Sequence, residues 1–375
     1  MIGRYGRPSI LYLKGERVMK KEQEKKISRE ENFKNKQIPP YAKDALHYDY
    51  APLRSYNRII NFLIGARGCG KGYGFEEWAI RDFIEHGNEF VYMRRFKNEI
   101  SKTKKNDFFD LKLKEKYSDY KLEWSDKWGA WTIDGFICGY PYILSSAGQT
   151  KSSKEYQKVN KVAFDEFIID KQAYHYLPDE TVAFAEATES IARDRFCQFF
   201  LISNAMTWNN PYFVKWNIPY PSTDDVVATK SYALHKPSLK AYAEYMRGTP
   251  LGRAWSELDP EYASYAFDNQ SFRDTTDFLK IRPKKSWLIY VLVINGKSVG
   301  VWIDENQLIY CSEKYDPNTP YKFALSSADH TEDTKLLVKS NPTVKGFVAL
   351  FKQGKVFFES QNIKSIVMDF LRKAT

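Results

Sequence analysis

The chain predicts an α/β fold, a mostly parallel sheet with helices on both faces, followed by a smaller α+β module. Three observations carry this. Short apolar runs suited to buried strands, "RIINFLIG" (58–65), "EFVYMRR" (89–95), "KVAFDEF" (161–167) and "CQFFLISNA" (197–205), alternate with helical stretches. Parallel neighbours need a crossover between them, so this βαβ rhythm points to a parallel sheet. A glycine-rich loop follows the first run directly. Beyond "NNPYF" (209–213) the rhythm fails, and a different pattern of closely spaced strands begins near Thr276.

Taken in order, residues 1–50 form a charged N-terminal extension. "KKEQEKKISREENFKNK" (20–36) is nearly all charge and reads as a solvated helix or tail, and Pro39-Pro40 punctuates the boundary. Residues 51–235 hold the βαβ region. Its first helix, in "FEEWAIRDFIEHG", places Phe75, Ala79, Ile80, Phe83 and Ile84 on one stripe and ends at Gly87, a natural C-cap. "LEWSDKWGAWTIDGFICG" (122–139) alternates around two turns and reads as an inserted hairpin or meander. Residues 236–275 are a helical linker, "SLKAYAEYMRGTPLGRAW", broken at Gly248 and Pro250. Residues 276–375 open with three strands joined by tight turns, Asn295-Gly296 being a strong hairpin signal. A helix near "DTKLLVKSNPTVKGFVALFKQG", a short strand at "KVFFE" and a final helix at "IKSIVMDFLRKA" complete the chain. No internal repeat or low-complexity tract is present.

Composition narrows the chemistry. The 375 residues leave room for two domains, and 43% hydrophobic content is that of a globular protein. The formal net charge of +10 favours a polyanionic partner, because neutralising phosphates releases counterions. Dense aromatics (26 Tyr, 25 Phe, 9 Trp) serve cores or stacking platforms. Cys69, Cys138, Cys197 and Cys311 form no C-x-x-C pair, and His47, His86, His175, His235 and His330 lie at no ligand spacing with them. That argues against zinc and for reduced thiols. With no apolar stretch of membrane-spanning length and no signal-peptide core, a soluble intracellular protein is expected.

The loop "GARGCGKG", Gly65, Ala66, Arg67, Gly68, Cys69, Gly70, Lys71 and Gly72, matches the phosphate-binding pattern G-x-x-x-x-G-K-[ST] except at its last position. A strand before it and a helix after it give the context in which backbone N–H groups cradle phosphates and Lys71 reaches the β- and γ-phosphates. Gly72, followed by Tyr73, removes one metal-binding hydroxyl and moves the metal's anchoring onto Asp165 and water. Asp165 and Glu166 emerge at a strand's C-terminal end, the rim where ligands sit in such sheets. Asp165 suits a metal-bound water and Glu166 activation of the attacking water. In "ARDRF", Arg193 and Arg195 read either as surface ion-pair residues or as guanidinium groups reaching a neighbour's nucleotide. Asn204 of "SNA" reads either as a γ-phosphate sensor or as part of a turn. The cofactors implied are ATP and Mg²⁺.

"INFLIGARGCGKGYG", "FVYMRRFKNEI", "VAFDEFIIDK" and "LISNAMTWNNPYF", with "GKSVGVWID" further on, together resemble the encapsidation ATPase of small podoviruses. The similarity runs from about Tyr56 to the C-terminus. It is strong over the loop and strand motifs and loose in the linker. That family packages viral double-stranded DNA into an empty prohead. The resemblance implies a RecA-like (ASCE) P-loop ATPase domain over 51–235 and a ribonuclease-H-like C-terminal domain. It also implies a homopentameric ring on the portal (connector) of the procapsid, in some relatives with a packaging RNA. Its location would be the host cytoplasm and, transiently, the portal vertex, without becoming a stable virion component. Carried over by position, Lys71 and the loop Gly65 to Gly70 bind nucleotide, with Gly72, Tyr73 and Asn204 as further candidates on the residues themselves. Lys71, Asp165 (with Mg²⁺) and Glu166 catalyse, and Arg193, or Arg195 as its alternate, acts in trans. Lys151 assists at the nucleotide, and Arg94, Lys97 and Lys171 fall near the DNA channel or subunit junction. Related motors carry nuclease carboxylates in the C-terminal domain. Here the strand at 287–294 has none and Asp304 stands alone, so the domain reads as a non-cleaving contact surface with Lys335, Lys339, Lys345, Lys352 and Lys355 as candidates. Two rival readings stay open on the residues themselves: a P-loop phosphotransferase acting on a small molecule, and a catalytically silent nucleotide-binding assembly protein.

Overall fold

Apolar runs in the sequence become the middle of a nine-stranded sheet. The computed structural model describes residues 27–41, 46–146, 156–169, 175–221, 223–271, 278–324, 326–338 and 340–374. Strands β1 (Ile60–Ile64), β2 (Glu89–Arg94), β3 (Leu122–Ser125), β4 (Ala130–Ile133), β5 (Phe136–Ile143), β6 (Val159–Asp165), β7 (Gln198–Ser203), β8 (Val227–Ala228) and β9 (Tyr232–His235) lie in the order β3-β4-β5-β2-β6-β7-β1-β9-β8. From β5 to β9 in that order every pairing is parallel. The predicted meander is the antiparallel edge β3-β4-β5. The opposite edge, β9 with antiparallel β8, carries no clear sequence signal, and β9 is a strand because it pairs with β1.

Both faces of this sheet are covered, which is why its central strands are apolar without alternation. Phe62, Ile64, Met93 and Phe164 face one core, together with α2 (Glu180–Ala192) and α3 (Pro211–Trp216). Leu63, Phe90, Ala163 and Phe200 face the other, beneath α1 (Lys71–His86). Of the predicted stripe on α1, Phe75, Ala79, Ile80 and Phe83 are buried, and Gly87 caps the helix with φ 72° by donating its N–H to Phe83 O. The chain just ahead of the sheet crosses α1 so closely that a Cβ at Gly74 would sit 2.2 Å from Tyr48 O. Tyr48 and Tyr50 are thereby buried against the helix start, Tyr48 N donating to Cys69 O at 3.0 Å.

Three short helices, α4 (Lys240–Gly248), α5 (Pro250–Leu258) and α6 (Pro260–Asp268), follow the sheet. The C-terminal module contains β10 (Ser286–Ile294), β11 (Lys297–Asp304), β12 (Ile309–Ser312), β13 (Lys322–Ala324), β14 (Lys335–Leu336) and β15 (Val356–Phe358), with α7 (Pro342–Lys352) and α8 (Gln361–Ala374). Its order is β14-β13-β10-β11-β12-β15. An antiparallel meander, β10 to β12, is extended by β13 and β14 in parallel, the ribonuclease-H-like arrangement. Asn295 (φ 52°) and Gly296 (φ 74°) make the β10–β11 turn. Asp304 stitches the next turn by accepting from Asn306 N, Leu308 N and the Tyr310 hydroxyl. Among the described residues no helix is long and apolar enough to cross a membrane.

Replacing Gly74 by alanine pushes the 48–50 segment off α1. We expect a loss of about 1–3 kcal/mol in unfolding free energy, measured by urea denaturation; an unchanged midpoint would mean the crossing is looser than the structure has it.

Candidate nucleotide and metal site

Because β7 lies between β1 and β6, the C-terminal ends of three adjacent parallel strands deliver the loop, Asn204 and the Asp165-Glu166 pair to one rim. The loop leaves β1 at Ile64, and α1 begins at Lys71 behind Gly70 (φ 69°), with Gly65 N donating to Ser203 O. Lys71 is only 9% exposed. Its Nζ donates to Gly65 O (3.0 Å), Ala66 O (2.7 Å) and Asn204 Oδ1 (2.9 Å). Arg67 and Gly68 are exposed, whereas Ala66 and Cys69 pack with Tyr242 of α4, whose hydroxyl donates to Arg67 O. Burial pushes the Cys69 thiol up, against the opposing pull of Lys71. Tyr73 stacks on His47 with ring centroids 4.2 Å apart.

The carboxylates are organised by the end of β2. Arg94 donates Nη1 to Asp165 Oδ2 (2.7 Å) and Nη2 to Glu166 Oε2 (2.5 Å) and Glu99 Oε1 (3.0 Å). Tyr92 O–H adds a second bond to Asp165 Oδ2 at 2.6 Å, and Glu166 N donates to Asp165 Oδ1 at 3.0 Å. Glu166, with φ 55°, keeps 43% of its side chain exposed. Successive strand residues face opposite ways, so Arg95 points to the other face of the sheet. There it pairs with buried Glu180 (2.7 and 2.8 Å) and donates to Glu166 O and Phe167 O, while Tyr212 O–H closes the network on Glu180 at 2.8 Å. The turn that carries Glu166 is thus held from both faces.

On α1, Glu76 lies one turn beyond Gly72. Desolvation pushes its carboxyl up to about 8, and the charges of Asp110 and Asp165 add to that, against a hydrogen bond from Asp110 N. Among the described residues no group of three or more His, Cys, Asp or Glu could hold a metal ion. An arrangement of Asp165 with few protein oxygens fits Mg²⁺ arriving on a nucleotide, since that ion keeps waters and phosphate oxygens among its ligands.

Not every residue expected at the site is found there. Arg94, expected near the DNA channel or subunit junction, is 6% exposed and paired with Glu99, Asp165 and Glu166. Arg195, the alternate for the trans-acting role, is engaged within its own chain. Its guanidinium donates to Tyr156, Gln157, Val159 and Ile191 carbonyls at 2.6–2.9 Å, tying the start of β6 to the end of α2. Arg193 ends α2 with φ 52° and an exposed side chain, ahead of β7 and so toward the N-terminal ends of the parallel strands, away from its own loop. Lys97 is exposed just past β2. Lys335, Lys345, Lys352 and Lys355 are exposed on the C-terminal module. Lys151, Lys171 and Lys339 lie outside the described residues. Sequence reasoning missed Tyr92, Arg95, Glu99, Glu180 and Tyr212; the doubled arginine at a strand end was the available signal. It also missed Asn269, which donates Nδ2 to Ile64 O (2.8 Å) ahead of the loop.

Residues 42–375 match the family described as podovirus DNA encapsidation protein (Gp16). The chain is 32% identical to the DNA packaging protein of Bacillus phage phi29 over 333 residues, covering 88% of this chain and 98% of that protein. It is also 32% identical to the DNA packaging protein of Bacillus phage B103, covering 85% and 98% respectively. Among solved structures, a chain of the phi29 viral genome packaging motor assembly superposes with a TM-score of 0.70 at 29% identity, covering 88% of this chain and all of that one. The phi-28 gp11 DNA packaging motor shares the fold, with a TM-score of 0.61 at 20% identity, 88% of this chain and 99% of that one being covered.

The two arginines separate in a stability measurement. Arg195→Ala strips hydrogen bonds from carbonyls at the start of β6 and should cost about 1.5–3 kcal/mol in urea unfolding, with Arg193→Ala staying within about 0.5 kcal/mol of wild type. Equal effects would contradict the division of roles.

Proposed function

The chain belongs to the podovirus DNA encapsidation protein (Gp16) family, and on that premise we propose that it is the ATP-hydrolysing subunit of a ring motor that drives double-stranded DNA into a procapsid. The single observation that carries the catalytic part is the convergence of Lys71, Asn204, Asp165 and Glu166 at the C-terminal ends of β1, β7 and β6.

In this reading the amides of residues 65–72 and the Lys71 ammonium hold the β- and γ-phosphates. Lys71 then exchanges its bonds to Gly65 O, Ala66 O and Asn204 for phosphate oxygens. That frees the Asn204 carboxamide to meet the γ-phosphate or the attacking water. Asp165, positioned by Tyr92 and Arg94, is the protein's anchor for Mg²⁺. Bound with the nucleotide, that ion would neutralise charge developing on the phosphates. Glu166 accepts the proton of the attacking water. Arg94 Nη2 occupies Glu166 Oε2, so the carboxylate must release that bond to face the water. Its exposure and position in a turn leave room for that movement. Arg193 lies too far along the sheet to serve its own site; in a ring it serves the next subunit's nucleotide.

DNA is gripped through its phosphates, without base readout. The net charge of +10 and exposed lysines past β2, Lys97 and Lys104 among them, supply the basic surface. The ring would sit on the portal vertex of the procapsid, in the host cytoplasm.

Steady-state ATPase assays with and without double-stranded DNA test this. DNA should raise turnover, and Glu166→Gln should lower it about 10²- to 10⁴-fold while leaving nucleotide affinity intact. Turnover that ignores DNA would contradict the motor, and undiminished turnover in the variant would contradict the assignment of the base.

A further inference from the structure

Gly72 leaves open the position where the loop pattern has a hydroxyl. A Cβ built there meets a single atom within 4 Å, Glu76 Oε1 at 3.8 Å. Residues four apart share one face of a helix, so the carboxylate reaches along α1 toward the loop. Its other oxygen is fixed: Oε2 accepts from Asp110 N at 3.0 Å. Oε1 has no partner among the described residues. Asp165, by contrast, already accepts from Tyr92, Arg94 and Glu166 N. Glu76 Oε1 is thus an oxygen with spare capacity beside the loop. A backbone strap from Asp110 aims it at the gap.

We propose that Glu76 supplies, through the opening at Gly72, the protein oxygen toward the nucleotide's Mg²⁺ that a serine or threonine at position 72 would otherwise give. This rests on reading the loop as a nucleotide site. It assigns Gly72 and Glu76 as a compensating pair: the loss of one side chain clears the path for another, four residues on. A carboxylate oxygen is a donor of the kind a hard divalent ion takes.

The test measures metal and nucleotide binding separately. Mn²⁺ affinity of the ADP complex is read by electron paramagnetic resonance of free Mn²⁺, and ADP affinity is read without metal. The variants are Glu76→Gln, Glu76→Asp, Gly72→Ser and Gly72→Ser/Glu76→Gln. Glutamine keeps an oxygen for Asp110 N, and aspartate keeps the charge but loses reach. Both Glu76 variants should weaken Mn²⁺ binding about tenfold, with metal-free ADP affinity within about twofold of wild type, and the double variant should regain the lost affinity. Wild-type Mn²⁺ affinity in Glu76→Gln overturns the proposal. So does wild-type affinity in Glu76→Asp, which would leave a distant charge effect alone. Failure of Gly72→Ser to rescue Glu76→Gln overturns it as well. Should the wild type bind no ADP with or without metal, the nucleotide-site reading falls, and the proposal falls with it by that distinct result.

Discussion

One topological constraint governs the site: β7 is inserted between β1 and β6. Strands lie about 4.8 Å apart, so the end of the loop strand and the end of the carboxylate strand stand roughly 10 Å from one another. That gap is wide enough for a terminal phosphate and its metal between Lys71 on one side and Asp165 and Glu166 on the other. β7 contributes Asn204 to the middle of it, where the carboxamide already bonds Lys71. Had β6 paired directly with β1, lysine and carboxylates would meet in an ion pair and leave no room for the ligand.

Holding two carboxylates at that rim requires a counter-charge, and Arg94 provides it for Asp165, Glu166 and Glu99 at once. Breaking a buried pair by removing one partner costs about 3–5 kcal/mol, so Arg94 is as much a structural element as a strand. Arg95 does the corresponding work on the opposite face through Glu180 and the carbonyls of Glu166 and Phe167. The loop is fastened in turn to the helices beyond the sheet. Tyr242 of α4 donates to Arg67 O, and Asn269, next after α6, donates to Ile64 O. Displacement of the loop by a bound nucleotide would therefore be passed to α4–α6, the segment that leads to the C-terminal module.

Much of this was legible in the sequence, for a physical reason. A phosphate loop and a strand-terminal Asp-Glu are local patterns, and strands buried on both faces announce themselves as apolar runs. What was not legible depends on distant pairing. β9 is short and weakly patterned, and becomes a strand by lying beside β1. Arg94 and Arg195 look alike in sequence, as basic residues flanking strands. Only the fold shows one meeting carboxylates across the neighbouring strand and the other meeting carbonyls at the start of β6. Glu76 lies between these cases: its four-residue spacing from Gly72 was there to be read, but its significance depended on seeing the space that glycine leaves.

In the proposed ring the site is completed across a subunit boundary, with Lys71 and the carboxylates from one copy and Arg193 from the next. Mixing two variants tests it directly. Lys71→Ala protomers lack a working loop but retain the arginine, and Arg193→Ala protomers have the reverse. Each alone should be inactive in DNA-stimulated ATP hydrolysis, and the mixture should recover turnover, because some junctions then pair an intact loop with an intact arginine. A mixture that stays inactive at every ratio, or an Arg193→Ala protein that is fully active alone, would contradict the account.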